Sequence, residues 1–212
     1  GTPLPLRTAL SRLGLERQWI TMAPVAGTER VLRISRGKDF VFVQTSEGVL
    51  HVYEAETGRP IWSAQVGEPS TRALPISQNS YAVFASSANM LTALDKSTGR
   101  VIWRENLAVL PSSATAADED HLVIGMETGM VRCYSLKAPQ PEGPDKLREQ
   151  PAVAWSIATG GPVFTRPLVS DQLACFGSND GKLYVNMTHV GTPLYRIPTG
   201  GPIGLDLATH GT

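Results

Sequence analysis

Short apolar runs alternate with short polar turns along most of the chain. Four runs combine aromatic and β-branched residues, and each is followed by a turn with glycine or asparagine and then by a second apolar run. Glycine and asparagine tolerate the positive φ that tight hairpin turns demand. The pattern is therefore typical of four β-hairpins. Their first strands are FVFVQTS from Phe40, YAVFASS from Tyr81, HLVIGME from His121 and LACFGSN from Leu173.

The hairpins recur at a spacing that aromatic residues mark. Tryptophan stands at positions 19, 62, 103 and 155, and Tyr195 follows in a similar setting, so the intervals are 43, 41, 52 and 40 residues. The longest interval holds residues 137–151, KAPQPEGPDKLREQP, whose proline and charge content is typical of a solvated loop. Each unit has room for one more strand, such as those that begin at Arg30, Arg72 and Val163. Four strands in a unit of about 41 residues are typical of a β-propeller blade.

We therefore predict an all-β chain, a β-propeller of four-stranded antiparallel blades with about four complete blades. Residues 1–18 form a lead-in segment, in which Leu6, Leu10 and Leu13 could line one face of a helix or belong to an extended stretch. Because four blades lie at the bottom of the usual range, we expect a part of a larger propeller, or one completed by missing blades or by a homo-oligomer. The approximate repeats are 19–62, 63–103, 104–155 and 156–195, with 196–212 as the start of a further blade.

A short motif follows the second strand of the hairpin in three units. It reads AETGRPIW at 55–62, KSTGRVIW at 96–103 and THVGTPLY at 188–195, and its glycine precedes an aromatic residue by four positions each time. A catalytic constellation is needed once, whereas a joint between blades is needed in every repeat, so we interpret the motif as a structural joint. Glycine permits the turn, and the aromatic ring can reach the adjacent blade. The predicted joint residues are Thr57, Gly58, Trp62, Asp95, Thr98, Gly99, Trp103, Trp155, Gly191 and Tyr195.

The most complete copy, ALDKSTGRVIW at 93–103, resembles the A-x-D-x-x-T-G-x-x-x-W consensus of the pyrroloquinoline quinone (PQQ) repeat family. It matches at Ala93, Asp95, Thr98, Gly99 and Trp103. The resemblance covers roughly residues 19–210 and implies a propeller fold. One branch of that family consists of quinoprotein dehydrogenases that bind PQQ and calcium, and another of cofactor-free, BamB-type propellers that hold other proteins. Both branches share the motif, so function has to be argued from sites.

The chemistry that a quinoprotein site would need is not recognisable in the sequence. The resemblance implies an adjacent pair of cysteines and a set of calcium ligands for such a site, but the two cysteines are Cys133 and Cys175, and no matching ligand set is found. The acidic stretch ADEDH at 117–121 is typical of a solvated turn. We therefore predict no catalytic, cofactor-binding or metal-binding residue, and we favour a protein that is not an enzyme.

Charge argues against nucleic acid as a partner, and hydropathy argues against a membrane-spanning segment. Lysine plus arginine equals aspartate plus glutamate at 19 each, so no overall field favours nucleic acid. No apolar stretch approaches the ~18 residues of a membrane span. We expect a non-catalytic scaffold for a protein partner, and the resemblance implies a location in the periplasm or cell envelope. The alternatives are part of a PQQ-dependent oxidoreductase and a propeller that binds glycan or another small ligand.

The long loop is the candidate interaction site. Insertions on one face of a repeat array often mark the binding face, although a surface insertion without a role is equally compatible with the sequence. The candidate residues are Lys137, Pro141, Asp145, Lys146 and Arg148.

Overall fold

The computed structural model describes residues 4–136 and 150–208. Its strands form four separate four-stranded sheets, in which each strand pairs with the next strand along the chain. The pairings are antiparallel throughout these sheets. The predicted all-β architecture of four-stranded antiparallel blades is confirmed. In the lead-in, a short helix, α1 (Arg7–Arg12), buries none of its residues.

Each blade takes four consecutive strands of the chain. The first blade contains β1 (Val31–Arg36), β2 (Phe40–Thr45), β3 (Val49–Glu54) and β4 (Pro60–Gln65). The second contains β5 (Ser77–Gln78), β6 (Ala82–Ser87), β7 (Met90–Asp95) and β8 (Val101–Asn106). The third contains β9 (Ala116–Ala117), β10 (His121–Gly125), β11 (Met130–Ser135) and β12 (Val153–Ala158). The fourth contains β13 (Leu168–Val169), β14 (Leu173–Gly177), β15 (Lys182–Met187) and β16 (Pro193–Pro198).

The innermost strands are shorter than the sequence pattern suggests. β1 has six residues, whereas β5, β9 and β13 have two each. Pro75 precedes β5 and Pro167 precedes β13, and a proline has no N–H to donate to a strand ladder. β9 contacts both β5 and β13. The second, third and fourth blades therefore converge where their shortest strands lie.

The apolar cores lie between blades, because side chains alternate across each strand. In β6, Val83 and Ala85 pack with Leu50 and Val52 of the first blade. Their neighbour Phe84 belongs to the cluster shared with the third blade. A third cluster joins the third and fourth blades. The second and third strands of the inner blades are thus covered on both faces, which explains their nearly continuous apolar sequences.

The two ends of each blade carry different segments. The turns between second and third strands, such as residues 46–48, lie at one end. The links to the following blade start at the same end, since the Val66 N–H donates to the Gly48 carbonyl oxygen at 2.9 Å. We call this end the connector rim. The opposite rim carries the other two turns of each blade, such as residues 37–39 and 96–100.

Candidate functional site

The Thr-Gly turn of the second blade is organised around the Asp95 carboxylate. One carboxylate oxygen, Oδ1, accepts hydrogen bonds from the Thr98 N–H and hydroxyl, both at 2.8 Å, and from the Ser97 N–H at 3.0 Å. The Gly99 N–H donates to the Asp95 carbonyl oxygen at 2.8 Å, and Gly99 has a φ of +72°. The sequence Asp-x-x-Thr-Gly thus builds a closed turn in which glycine takes the left-handed position.

These hydrogen bonds also set the charge state of Asp95. Burial opposes ionisation, but the hydrogen bonds from Ser97 and Thr98 outweigh it, so the pKa of the Asp95 carboxyl is lower than usual. Asp95 is therefore a structural anion of the turn. A general base for catalysis would need a pKa nearer to neutrality.

The turn of one blade receives the tryptophan of the preceding blade. The Trp62 ring lies against Gly99, where an added Cβ atom would approach the ring carbons Cδ2 and Cε3 to 2.6 Å. The Trp62 Nε1–H donates to the Lys96 carbonyl oxygen at 2.9 Å. Glycine at this position therefore serves two purposes: it accepts the positive φ and it leaves room for the ring.

The same joint occurs at two other places along the chain. The Trp19 Nε1–H donates to the Ala55 carbonyl oxygen at 3.0 Å, and the Trp19 ring covers Gly58. Trp155 of the third blade meets the turn of the fourth blade: its Nε1–H donates to the Thr188 carbonyl oxygen at 2.6 Å, and its ring covers Gly191. In all three joints, the accepting carbonyl lies three residues before the glycine.

The remaining predicted joint residues have different surroundings. The Thr57 hydroxyl donates to the Glu54 carboxylate within its own turn. Trp103 is 5% exposed and its ring centroid lies 6.1 Å from that of Phe84. Tyr195 is 63% exposed.

Sequence reasoning missed one joint residue, Trp19, although the repeat period marks it. The structure brings Gly99 and Gly191 together with the tryptophan of the preceding blade. It brings Gly58 together with Trp19, and Trp62, four residues after Gly58, belongs to the joint with Gly99. The loop residues Lys137, Pro141, Asp145, Lys146 and Arg148 lie outside the described residues.

In the described ranges, the Cys133 thiol is buried and the Asp118 carboxylate belongs to a turn. Burial raises the pKa of the Cys133 thiol to about 12, with a further contribution from the charge of Asp118. Asp118 itself accepts the His121 N–H and closes the turn between β9 and β10. Over residues 4–136 and 150–208, no group of three or more histidine, cysteine, aspartate or glutamate side chains could hold a metal ion. In the same ranges, no helix is long and apolar enough to span a bilayer.

The connector rim carries surface cavities. One of about 600 Å³ lies between the first two blades and is lined by Arg30, Leu32, Ser46, Ser70, Arg72 and neighbouring residues. A second, of about 160 Å³, lies beside it and includes Gln65, Ser87 and Arg104. A third, of about 330 Å³, lies on the fourth blade around Asp180 and Gly201. All three cavities are concave surfaces on the connector rim.

Two arginines of the cavity of about 600 Å³ stand at equivalent positions of consecutive repeats. The Arg30 carbonyl oxygen accepts the Ser46 N–H at 2.8 Å, and the Arg72 carbonyl oxygen accepts the Ala88 N–H at 3.2 Å. The same bond is made to Leu110 in the third blade and to Pro162 in the fourth. At this position, the connector rim is therefore basic in the first two blades and uncharged in the next two.

A family model described as outer membrane protein assembly factor BamB matches residues 8–211. Among curated proteins, outer membrane protein assembly factor BamB of Yersinia pestis is 25% identical to this chain over 138 residues. That match covers 58% of this chain and 32% of the relative. The aligned part is therefore about a third of that relative's length.

Solved structures share the fold at low identity. BamB from Moraxella catarrhalis gives a TM-score of 0.61 at 17% identity and covers 81% of this chain and 50% of its own. The computationally designed protein Ika8 gives 0.64 at 15% identity, with coverages of 82% and 51%. A chain of the Mitotic Checkpoint Complex gives 0.66 at 13% identity, with coverages of 86% and 57%. This chain thus spans about half the length of these structures. Because the family model runs through all four blades, the chain belongs to the PQQ-like, BamB-type family of β-propellers.

Proposed function

We propose that this chain is a non-catalytic scaffold that holds a protein partner during the assembly of outer membrane proteins, in the bacterial cell envelope. The family model described as outer membrane protein assembly factor BamB, which matches residues 8–211, carries this proposal. The Yersinia pestis relative bears the same description. Both descriptions name an assembly factor.

The chemistry of the repeats supports the same function. The residues with the most distinctive chemistry in the motif, Asp95, Thr98 and Trp62, are used within the turn or in the joint between blades. The joints fix neighbouring blades to one another. A rigid array of this kind presents its rim cavities in a fixed geometry, which lowers the entropic cost of binding a partner.

Capture from bacterial outer membranes tests the proposal. The tagged chain is immobilised and exposed to outer membranes solubilised in mild detergent, and retained proteins are quantified by mass spectrometry. We expect components of outer membrane assembly to be enriched over an unrelated β-propeller of similar size. The matched variant Trp155→Ala, which opens a joint but leaves the connector rim residues unchanged, should retain less.

Two results would contradict the scaffold. In the first, no outer membrane assembly protein is enriched over the control propeller. In the second, the chain takes up PQQ stoichiometrically in the presence of calcium and reduces an artificial dye, as a quinoprotein would.

A further inference from the structure

The cavity between the first two blades on the connector rim is an open groove lined by both polar and apolar residues. Its volume is about 600 Å³, which is far more than a single small anion needs. Leu32, 50% exposed, and Ala73 supply apolar surface beside the hydroxyls of Ser46, Ser70 and Thr71. A groove of this size and mixed character suits an extended peptide.

The groove carries positive charge that is not neutralised by ion pairs. Arg30 and Arg72 both line it and are both exposed. Among the described residues, the ion pairs are Arg59 with Glu54, Lys96 with Asp39, His121 with Asp118 and Arg132 with Glu105, so neither groove arginine has a carboxylate partner. Glu47 is the acidic side chain in the lining. Two guanidinium groups against one carboxylate leave the groove with an excess of positive charge.

Hydrogen bonds fix the main chain at both arginines. Arg30 and Ser46 exchange two hydrogen bonds: the Arg30 N–H donates to the Ser46 hydroxyl at 3.0 Å, and the Ser46 N–H donates to the Arg30 carbonyl oxygen at 2.8 Å. The Ser70 N–H donates to the Ser46 carbonyl oxygen at 2.7 Å. This bond accompanies a φ of +61° at Ser70, a left-handed conformation that is unfavourable for a non-glycine residue. The Arg72 side of the groove is fixed by the hydrogen bond from Ala88.

We propose that this groove binds an extended acidic segment of a protein partner, whose carboxylates pair with Arg30 and Arg72. Guanidinium groups match carboxylates in shape and donate two parallel hydrogen bonds. In an extended segment, every second side chain points to the same face, so alternating acidic residues would all face the groove. The proposal rests on the scaffold function proposed for the whole chain and assigns the site through which the partner is held.

The charge pattern favours a protein segment over a membrane surface. Attraction to anionic lipids needs clusters of about four to eight basic residues, and the chain as a whole has no net charge. The equivalent positions in the third and fourth blades hold Leu110, 48% exposed, and Pro162. A partner that continues along the connector rim would therefore meet uncharged residues at these positions after the two arginines.

Fluorescence anisotropy with a defined probe tests the groove. The probe is a rhodamine-labelled peptide of about eight residues in which aspartate alternates with valine, and the comparison peptide has asparagine in place of aspartate. Binding is measured at about 50 mM and about 300 mM NaCl, because exposed charge pairs are screened at higher salt. We expect the aspartate peptide to bind, the asparagine peptide to bind at least about tenfold more weakly, and the higher salt to weaken binding.

A matched pair of variants locates the site. R30A/R72A removes both groove arginines, and K38A/R100A removes two exposed cations from the opposite rim. We expect about tenfold weaker binding for the first variant and unchanged binding for the second. R30E/R72E should bind a peptide that alternates lysine with valine. All these side chains are exposed, so the urea midpoints of the variants should equal that of the parent, which verifies folding.

Several outcomes would overturn the proposal. One is that R30A/R72A binds the aspartate peptide as tightly as the parent does, and another is that K38A/R100A loses as much affinity as R30A/R72A. The other two are that the asparagine peptide binds as tightly as the aspartate peptide, and that the aspartate peptide does not bind. Binding to phosphatidylglycerol vesicles or to inorganic phosphate in place of the peptide would assign the groove to those anions. The scaffold function fails separately: if the parent captures no outer membrane assembly protein, that function is wrong whatever the peptide does. If R30A/R72A captures those proteins as well as the parent does, the scaffold stands and the groove proposal is wrong.

Discussion

Trp155 and Tyr195 occupy the same position in consecutive repeats, yet one is closed into an interface and the other faces solvent. Trp155 is 7% exposed and its ring lies against Gly191 in the next blade. Tyr195 is 63% exposed and is followed along β16 by Ile197, which is also exposed. Trp155 forms a joint with the next repeat, which supplies Gly191 and the Thr188 carbonyl oxygen.

The sequence Thr-Gly-Gly-Pro occurs twice, at residues 159–162 and 199–202. The two copies form the same hydrogen bonds within their own repeats but differ in their contact with a following blade. The Thr159 hydroxyl donates to the Gly129 and Gly161 carbonyl oxygens, and the Thr199 hydroxyl makes the equivalent bonds to Gly181 and Gly201. Each connector thus forms within its own repeat. The first copy also contacts the next blade, because the Gly160 N–H donates to the Asp180 carboxylate at 2.9 Å.

Truncating Trp155 and Tyr195 to alanine should give the largest difference in the free energy of unfolding. Trp155→Ala should lower the free energy of unfolding by about 3 to 5 kcal/mol, because it removes a buried ring and leaves a cavity. Tyr195→Ala should change it by less than about 0.5 kcal/mol, because the ring is mostly solvated. Urea denaturation of the two variants and the parent measures both values. Equal losses would show that Tyr195 is packed like Trp155.

Adding a methyl group to two glycines separates the cost of the ring from the cost of the backbone. Gly191 has a φ of +69°, and a Cβ atom there would lie 2.6 Å from Trp155 Cγ. Gly200 has a φ of +77°, but in the described part of the chain nothing lies within 4 Å of its Cβ position. We expect Gly191→Ala to cost about 2 to 4 kcal/mol and Gly200→Ala about 1 kcal/mol. Similar urea midpoints for the two variants would contradict the close approach of the Trp155 ring.

The smallest effect concerns the link between Gly160 and Asp180. Burial opposes ionisation of Asp180, but hydrogen bonds from the Tyr184 hydroxyl and the Gly160 N–H outweigh it and lower the pKa of the carboxyl below its ordinary value of 3.8. A lowered pKa in the folded state stabilises the protein above that ordinary value, and the contribution is lost as the pH falls through the folded-state pKa.

Asp180→Asn should therefore be less stable than the parent by about 1 kcal/mol or less at pH 7, because the carboxylate is partly exposed. The difference should shrink as the pH falls below about 4. Urea midpoints measured across this pH range give the result. A difference that stays constant down to pH 2 would mean that the charge of Asp180 contributes nothing to the link.

The sequence predicted the blades well because their signals are local. The hairpins at Phe40 and Tyr81 are marked by apolar runs and by turn residues, and both form as predicted. The innermost strands were harder to predict. The RALPIS segment yields only the two-residue strand β5 and a single bridge at Ala73, because Pro75 interrupts the ladder.

The partners within the joints could not be predicted from spacing. Gly58 and Trp62 are four residues apart, but the structure places Gly58 against Trp19 and Trp62 against Gly99. Which ring meets which glycine depends on how successive blades stack, and a repeat period contains no information about that. The sequence contains one sign of the groove, because Arg30 and Arg72 begin equivalent strand segments. Their lack of ion-pair partners became visible only in three dimensions.

A double-mutant cycle on Trp62 tests the central claim, that the motif joins neighbouring blades. In the parent, Gly99→Ala should be strongly destabilising because the new methyl group meets the Trp62 ring, and in a Trp62→Ala background it should cost much less. We predict a coupling energy of about 1 to 3 kcal/mol between Trp62 and Gly99, and a value below about 0.5 kcal/mol between Trp62 and Gly58. The reverse result, with coupling inside the repeat and additivity between repeats, would contradict the claim.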